Sequence, residues 1–559
     1  MKRFCLFLAA SLTVVLMTAC EQDNITTTTD SGSITVEEGV VDTTCSVLGE
    51  YDHKVVVVYS TSGTATITGT DDSITAKISG CGVTITNNSS RKVMYILTGT
   101  SNNGYFKVYS GRKQGLQLNN LGLVNPKGAA INIQGTVNTP SAGKQADIYL
   151  GGSTTLGDGG NYSLTPDNED EKAVIFSEGQ IVLHGNGTLN ISAVGKSCIT
   201  SDDWVAFYSG CTVNATSKAG HGIRGKNYIL IGGGTLNVET SANMKKGLTS
   251  DSLVRFDGGQ TTITVTGNAA YDSEDNEYTG TAGVKADVSF VMNDGSLSIT
   301  NSGTGGKGIS CDGTGTFNGG TVDITVTGSN YTSGDISSKG IKCDGNIIFD
   351  GSTVNVKCSK HEGIESKGTI TMNSGTVYSY SQGDDAINSA SSFTINGGFL
   401  CGHSTANDGL DANGNFYVKG GLVYAICKGS PEVALDANTE GGYKLYVEGG
   451  TLIAIGGLEN NASLTQKCYQ AGSWSKNTWY SLTVGNSVYA FMTPSSGGSP
   501  LVVSGESTPS LKSGVTTSGG VAYFNNTLLT DVVFSGGSEV SLSSYTGGGG
   551  GHGPGGGRR

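Results

Sequence analysis

A small residue followed by Ile, Leu or Val and then a polar residue recurs through the middle of this chain, opening at Gly222, Gly247, Gly283, Gly308, Gly340, Gly363, Ala386, Gly409 and Ala434. Successive intervals are 25, 36, 25, 32, 23, 23, 23 and 25 residues, and the pattern reaches upstream to Cys198 and Ala173. Ten to thirteen residues into a unit a second signature appears, as in Gly233-Gly234-Thr235-Leu236, Gly319-Gly320-Thr321-Val322, Ser374-Gly375-Thr376-Val377 and Gly449-Gly450-Thr451-Leu452. Between these turns the residues alternate as a strand requires, with Val322, Ile324 and Val326 predicted inward and Asp323 and Thr325 outward. No helical period competes. A repeat of this length built from short strands and turns is one coil of a parallel β-solenoid, each coil burying its apolar row only by stacking on its neighbours.

The fold expected is therefore all-β, a parallel β-helix with regular coils over 173–457. Residues 51–172 read as irregular first coils forming an N-terminal β cap. Residues 458–545, with Trp474 and Trp479, read as a C-terminal β extension that closes the other end, since an open solenoid end would expose pairing edges. The glycine-rich stretch 546–559 reads as a disordered tail. Glycine, 88 of 559 residues, serves the many turns, and proline is scarce at 8 because ladders run nearly everywhere. Two long intervals carry insertions, Asn268 to Gly280 and Gly328 to Ser338. They should project from one corner, where solenoids commonly place binding surfaces.

The N-terminus sets the compartment. Lys2 and Arg3 precede an apolar run from Phe4 to Met17 that is too short for a permanent span, so 1–19 reads as a signal peptide. Leu16-Met17-Thr18-Ala19-Cys20 resembles the bacterial lipobox, which makes Cys20 the lipidation site and 20–50 a polar tether. The body is expected to hang from the outer membrane by its lipid, facing the periplasm or the exterior, and to be monomeric. A net charge of -13 excludes nucleic acid as a natural ligand and favours a cation. The cysteines show no CxxC pair and no zinc-ligand spacing with histidine. They read mainly as buried, reduced hydrophobes, although an exported chain can also form disulfides.

Register turns sequence spacing into proximity, because equivalent positions of stacked coils lie about 4.8 Å apart. One column follows the inward Ile or Leu and runs Arg224, Thr249, Lys285, Ser310, Lys342, Glu365, Asn388, Asp411, Asp436. A second precedes the small residue and runs Lys307, Lys339, Glu362, Asp385, Asp408, with Asp384 and Asn407 beside it. Both columns turn from basic to acidic at the same height. Two carboxylates at that separation repel by on the order of 3 kcal/mol at an effective dielectric near 20. Ion pairs of Lys339 with Glu362 and of Lys342 with Glu365 would account for the first acidic coil, but not for the next two. A hard cation among oxygen donors would account for them, and calcium (Ca2+) tolerates the irregular geometry of such a ladder.

The Ala129-Ala130-Ile131 coil, the Gly-Gly-Thr turns and the motifs Asp384-Asp385-Ala386-Ile387-Asn388 and Asn407-Asp408-Gly409-Leu410-Asp411 together resemble the bacterial carbohydrate-binding domain-containing β-helix family, whose fold is similar to that of the family-nine pectate lyases. The resemblance covers about Tyr51 to Gly457. It implies a right-handed parallel β-helix, bound calcium, and affinity for plant polysaccharides, including acidic ones. It carries the family's calcium positions onto Asp384, Asp385, Asp408 and Asp411, and along the same columns onto Glu362, Glu365, Asn388 and Asp436. Calcium with an open coordination position would bridge these acids to a uronate or to sugar hydroxyls. Tyr378 and Tyr424, equivalent after their Gly-turns, are the expected outward rings for sugar stacking. A lyase would need a Lys or Arg base beside the metal. Lys367, Lys419 and Lys428 are near in sequence but outside the acidic columns, so binding is favoured over calcium-dependent lysis. A purely structural adhesin or stalk remains the third reading.

Overall fold

The computed structural model describes residues 51–163 and 165–547. The signal peptide 1–19, Cys20, the tether to residue 50 and the tail from 548 lie outside the described residues.

The described chain is almost entirely strand and turn, broken by short 3-10 turns such as Thr332–Gly334 and Thr439–Gly441. None of its helices is long and apolar enough to cross a membrane. Its organising element is a 14-stranded sheet in which strands follow one another in chain order, from Ile74–Ser79 to Leu410–Ala412. Apart from the first, antiparallel, pairing of Ile74–Ser79 with Cys81–Asn87, its described ladders are parallel. Strands in the remaining faces of each coil stack the same way, as in Thr321–Val326 on Thr353–Cys358 and Phe399–His403 on Leu422–Ile426. Parallel neighbours 23 to 44 residues apart with no intervening helix make a solenoid, as the periodicity predicts.

The core is the inward row of each coil. Ile309, Ile341, Ile364, Ile387, Leu410, Leu435 and Leu458 are all fully buried. Phe256, Phe290, Phe317 and Phe349 stack at centroid spacings of 5.9, 5.3 and 5.1 Å in a second row. Val322, Ile324 and Val326 are buried while Asp323 is exposed, so the alternation read from sequence sets the face. All nine described cysteines are buried thiols.

The two ends differ from the middle. His53–Tyr59 pairs parallel with Val93–Gly99 but antiparallel with Thr66–Thr68. Beyond Leu464 the pairing turns antiparallel, Leu501–Ser504 joining both Thr451–Ile455 and Cys468–Ala471. A separate six-stranded antiparallel sheet drawn from Trp479 to Glu539 carries its own apolar side.

Candidate metal centre on the acidic ladder

Where glycine opens a coil, the backbone of the next coil leaves no room for a Cβ. A Cβ on Gly409 would meet Ala434 O at 2.7 Å, and one on Gly363 would meet Ala386 O at 2.8 Å. That close approach fixes the register of the residues on either side. Glu365 lies beside Asn388, and Asn388 beside Asp411. Isolated parallel bridges carry the inward row on from Leu410 to Leu435 and from Leu435 to Leu458.

At the upstream end of the acids, charges are matched. Lys339 Nζ lies 3.2 Å from Glu362 and 2.5 Å from Glu365, and Lys367 Nζ lies 2.5 Å from the other oxygen of Glu365. His361 Nδ1 contacts Glu362 and lies 3.2 Å from Asp384 Oδ2. Burial pushes the Glu362 carboxyl up, but His361 and Lys339 outweigh it and hold it down at about 2. The pairing of Lys342 with Glu365 expected from register does not form. Lys342 instead takes Asp344, two residues further along the chain and just past the end of its strand, at 2.5 Å. Alternate residues share a face, so a nearby acid on the same chain competes with one across the coil step.

Downstream, acid meets acid. Asp385, Asp408, Asp411, Asp436 and Glu459 are between 2 and 5% exposed. The Asp408 N–H donates to Asp385 Oδ1 at 3.0 Å and the Val433 N–H to Asp408 Oδ1 at 2.6 Å, so each carboxylate is tied to the next coil. Asn388 Nδ2 donates to Asp385 Oδ2 at 3.1 Å and to Asp411 Oδ2 at 3.2 Å, while Asn407 Nδ2 donates to Asp384 Oδ1 at 2.9 Å. Burial pushes Asp385 well above the usual carboxylate range, and Asp411 and Asp384 push it further; the Asn388 bond offsets only part. Asp408 is raised in the same way by burial and by Asp436, Asp385 and Asp411. Among the described residues, no lysine, arginine or histidine lies within ion-pair distance of Asp385 or Asp408.

A family model for carbohydrate-binding domain-containing proteins matches residues 79–244 and 303–386. The second segment takes in Glu362, Glu365, Asp384 and Asp385. Among solved structures the chain is similar to the polysaccharide lyase-like protein from C. thermocellum, as its gadolinium derivative, at 18% identity and a TM-score of 0.33, over 53% of this chain and 96% of that one. No curated protein matches.

Six of the eight residues singled out from sequence thus gather on consecutive coils: Asp384, Asp385, Asn388, Asp408, Asp411 and Asp436. Glu362 and Glu365 stand at the same height as predicted but are already neutralised by lysine. Two residues were missed. Glu459 follows Leu458 as Asp436 follows Leu435, and burial, then a hydrogen bond and the charge of Asp436, push its carboxyl up to about 9. The 23-residue step from Ala434-Leu435-Asp436 to Gly457-Leu458-Glu459 was the available signal, so the ladder continues past residue 457. His361 occupies the place that Asp384 and Asn407 take in the next two coils, and the ligand atoms of His361, Glu362 and Asp384 lie within 4.8 Å of one another.

Tyr378 and Tyr424 do not face solvent as a sugar-stacking role requires. They are 8 and 1% exposed, sealed under the C-terminal antiparallel sheet. Tyr378 stacks on Phe524 at 6.2 Å, and Tyr424 Oη donates to Met492 O at 2.8 Å with its ring on Phe491 at 5.7 Å. They point outward from the coils, but a later part of the chain covers that face.

Proposed function

We propose that this chain is a calcium-dependent polysaccharide-binding protein of the bacterial cell envelope, built as a right-handed solenoid with capped ends. One observation carries the reading: carboxylates buried on successive coils, raised by one another's charge. Protons or a cation must balance such a stack at neutral pH. The donors are carboxylate and amide oxygens, which fit calcium and do not suit a soft metal. Asp385, Asp408 and Asp411 would hold it, with Asp384, Asn388, Asp436 and Glu459 adjoining. Bound calcium supplies the positive charge that lets an acidic protein accept a uronate or sugar hydroxyls. The match to carbohydrate-binding domain-containing proteins supports the ligand class. Handedness follows the general preference of parallel crossovers. Lipidation at Cys20 would hold the monomer at the outer membrane.

Pull-down on polygalacturonate, xylan and cellulose, with calcium and with chelator, tests this function. Retention that chelator abolishes is expected. Absence of retention on all three would leave a structural stalk. Steady growth of unsaturated-product absorbance from polygalacturonate, lost with chelator, would instead make the protein a lyase.

A further inference from the structure

The two long intervals in the repeat build a feature that the acidic ladder does not use. Residues Asn268 to Gly280 form a hairpin, Ala270–Asp272 against Glu277–Thr279, in which Tyr271 and Tyr278 are direct cross-strand partners. Their rings meet at 5.1 Å and 66°, and they are 47 and 43% exposed. Tyr271 Oη donates to Asn276 Oδ1 at 2.5 Å, which fixes that ring over the turn. The second insertion brings Tyr331 to Tyr278 at 5.9 Å and 52°, held by mutual backbone bonds between Tyr331 and Ile336 at 2.8 and 3.0 Å. Three tyrosines from two non-adjacent coils therefore form one aromatic cluster, in which the hairpin pair Tyr271 and Tyr278 is exposed and Tyr331 is half-buried. The coil between them needs no such device, closing its own corner with Gly303-Thr304-Gly305-Gly306.

This cluster lies on the ridge that carries the acids. The Ala269 N–H donates to Thr304 O and the Gly305 N–H to Ser329 O, each at 2.7 Å, so insertion, short turn and insertion stack in order. Asn330 Nδ2 then donates to Lys360 O at 3.3 Å, placing the second loop directly against the turn that contains His361 and Glu362. From the coil of Gly283 to that of Gly363 there are three coil steps, about 14 Å along the stack. A polymer lying along the axis would meet the rings first and the acidic ladder next.

Exposed tyrosines offer apolar faces with a polar rim, and the C–H face of a pyranose ring is the complementary surface. The ring planes are inclined to one another, which suits a twisted chain rather than a flat one. We infer that Tyr271, Tyr278 and Tyr331 form a stacking subsite for pyranose rings of a polysaccharide whose neighbouring units reach the acidic ladder. The inference rests on the polysaccharide reading above.

The test uses the full chain with soluble polygalacturonate and arabinoxylan in the presence of calcium. Tyr271→Ala with Tyr278→Ala, and separately Tyr331→Ala, should weaken glycan binding about 2- to 10-fold per ring, while calorimetric titration with calcium alone stays unchanged. In the unaltered protein, saturating glycan should protect Tyr271 and Tyr278 from nitration by tetranitromethane, a readout that needs no variant to fold. Unchanged glycan affinity in the variants, or nitration at the same rate with and without a glycan that demonstrably binds, would overturn the subsite and leave the polysaccharide reading intact. A dimer that dissociates in the variants with glycan affinity unchanged would also overturn it, making the cluster a self-association face. If the unaltered protein binds neither glycan, both readings fall.

Discussion

The same column of this solenoid is basic in its upper half and acidic in its lower half, and the two halves balance their charge differently. Lys246 stands beside Ala282, Ala282 beside Lys307, and Lys307 beside Lys339. Burial pushes Lys246 down to about 8, with Lys245, Lys285 and Lys307 adding to it; burial and then Lys342 and Lys339 do the same to Lys307. Below Lys339 the equivalent positions are Glu362, Asp385 and Asp408, where burial and neighbouring acids push Asp385 and Asp408 up. Stacking places like charges about 4.8 Å apart in both halves. Lysines can relieve this by shedding protons into solvent as pH rises through about 8. Acids can relieve it by holding protons or by sharing a cation, and only the second choice creates a site. Lys339 with Glu362 and Glu365 is the boundary where the fold neutralises itself.

That boundary should give the largest effect. Lys339→Met removes the cation between two buried carboxylates and should lower the local opening free energy by about 3 to 5 kcal/mol. Hydrogen exchange of Lys339–Cys343 and Ile364–Ser366 would report it, since a solenoid opens locally. A loss under about 1 kcal/mol would mean that His361 and Lys367 suffice, and the boundary would not be where the halves are joined.

Next in size is the acidic half itself. At pH 8 without divalent ions, Asp385→Asn with Asp408→Asn should raise the local stability of Ile387–Ser389 and Leu410–Ala412 by about 1 to 3 kcal/mol, because charge repulsion and desolvation are relieved. Calcium at one hundred times its Kd should stabilise the natural chain by about 2.7 kcal/mol and the double variant hardly at all. The order of stability should therefore invert on adding calcium. If calcium stabilises both equally, the ion binds elsewhere.

Titration should separate the halves by sign. Glu459 is raised from an ordinary carboxylate value to about 9, so the folded state binds more protons than the unfolded one across that interval. Stability of the acidic coils should be greatest below about pH 4.5 and fall as pH rises through about 9. Lys246 and Lys307 are lowered to about 8, so the basic coils should lose stability as pH falls from about 10.5 through 8. Exchange rates corrected for their intrinsic pH dependence should thus diverge between Lys246–Ser250 and Leu410–Ala412 above pH 8. Saturating calcium should flatten only the second profile.

The sequence made the acidic half legible because its coils run at 23- to 25-residue steps, so Asp385, Asp408, Asp411 and Asp436 fall into line by counting. Glu459 escaped because the Gly-Gly-Thr turn does not recur after its coil, although the 23-residue step does. Lys342 escaped for a local reason: counting across coils says nothing of Asp344 two residues away. Tyr378 and Tyr424 show the deeper limit. Alternation tells which way a side chain leaves its own coil, but their cover comes from a sheet between Trp479 and Glu539 that shares no register with the coils. The tyrosines of the insertions were visible only as loop residues, since nothing in the spacing pairs Tyr278 with Tyr331.

The smallest effect should come from a pair that looks strongest on paper. Arg224 leads the column that later becomes Asp411 and Asp436, and its guanidinium grips both oxygens of Asp251 at 2.8 and 2.9 Å. Yet the two side chains are 30 and 42% exposed. Water and salt screen such a pair, so Arg224→Ala should cost less than about 1 kcal/mol in the exchange of Ile223–Gly225, and less still in high salt. Lys339 is buried and bridges two buried carboxylates, and that burial separates the two expected costs. Equal losses at Arg224 and Lys339 would show that column position, rather than burial, decides what a charge contributes to this ladder.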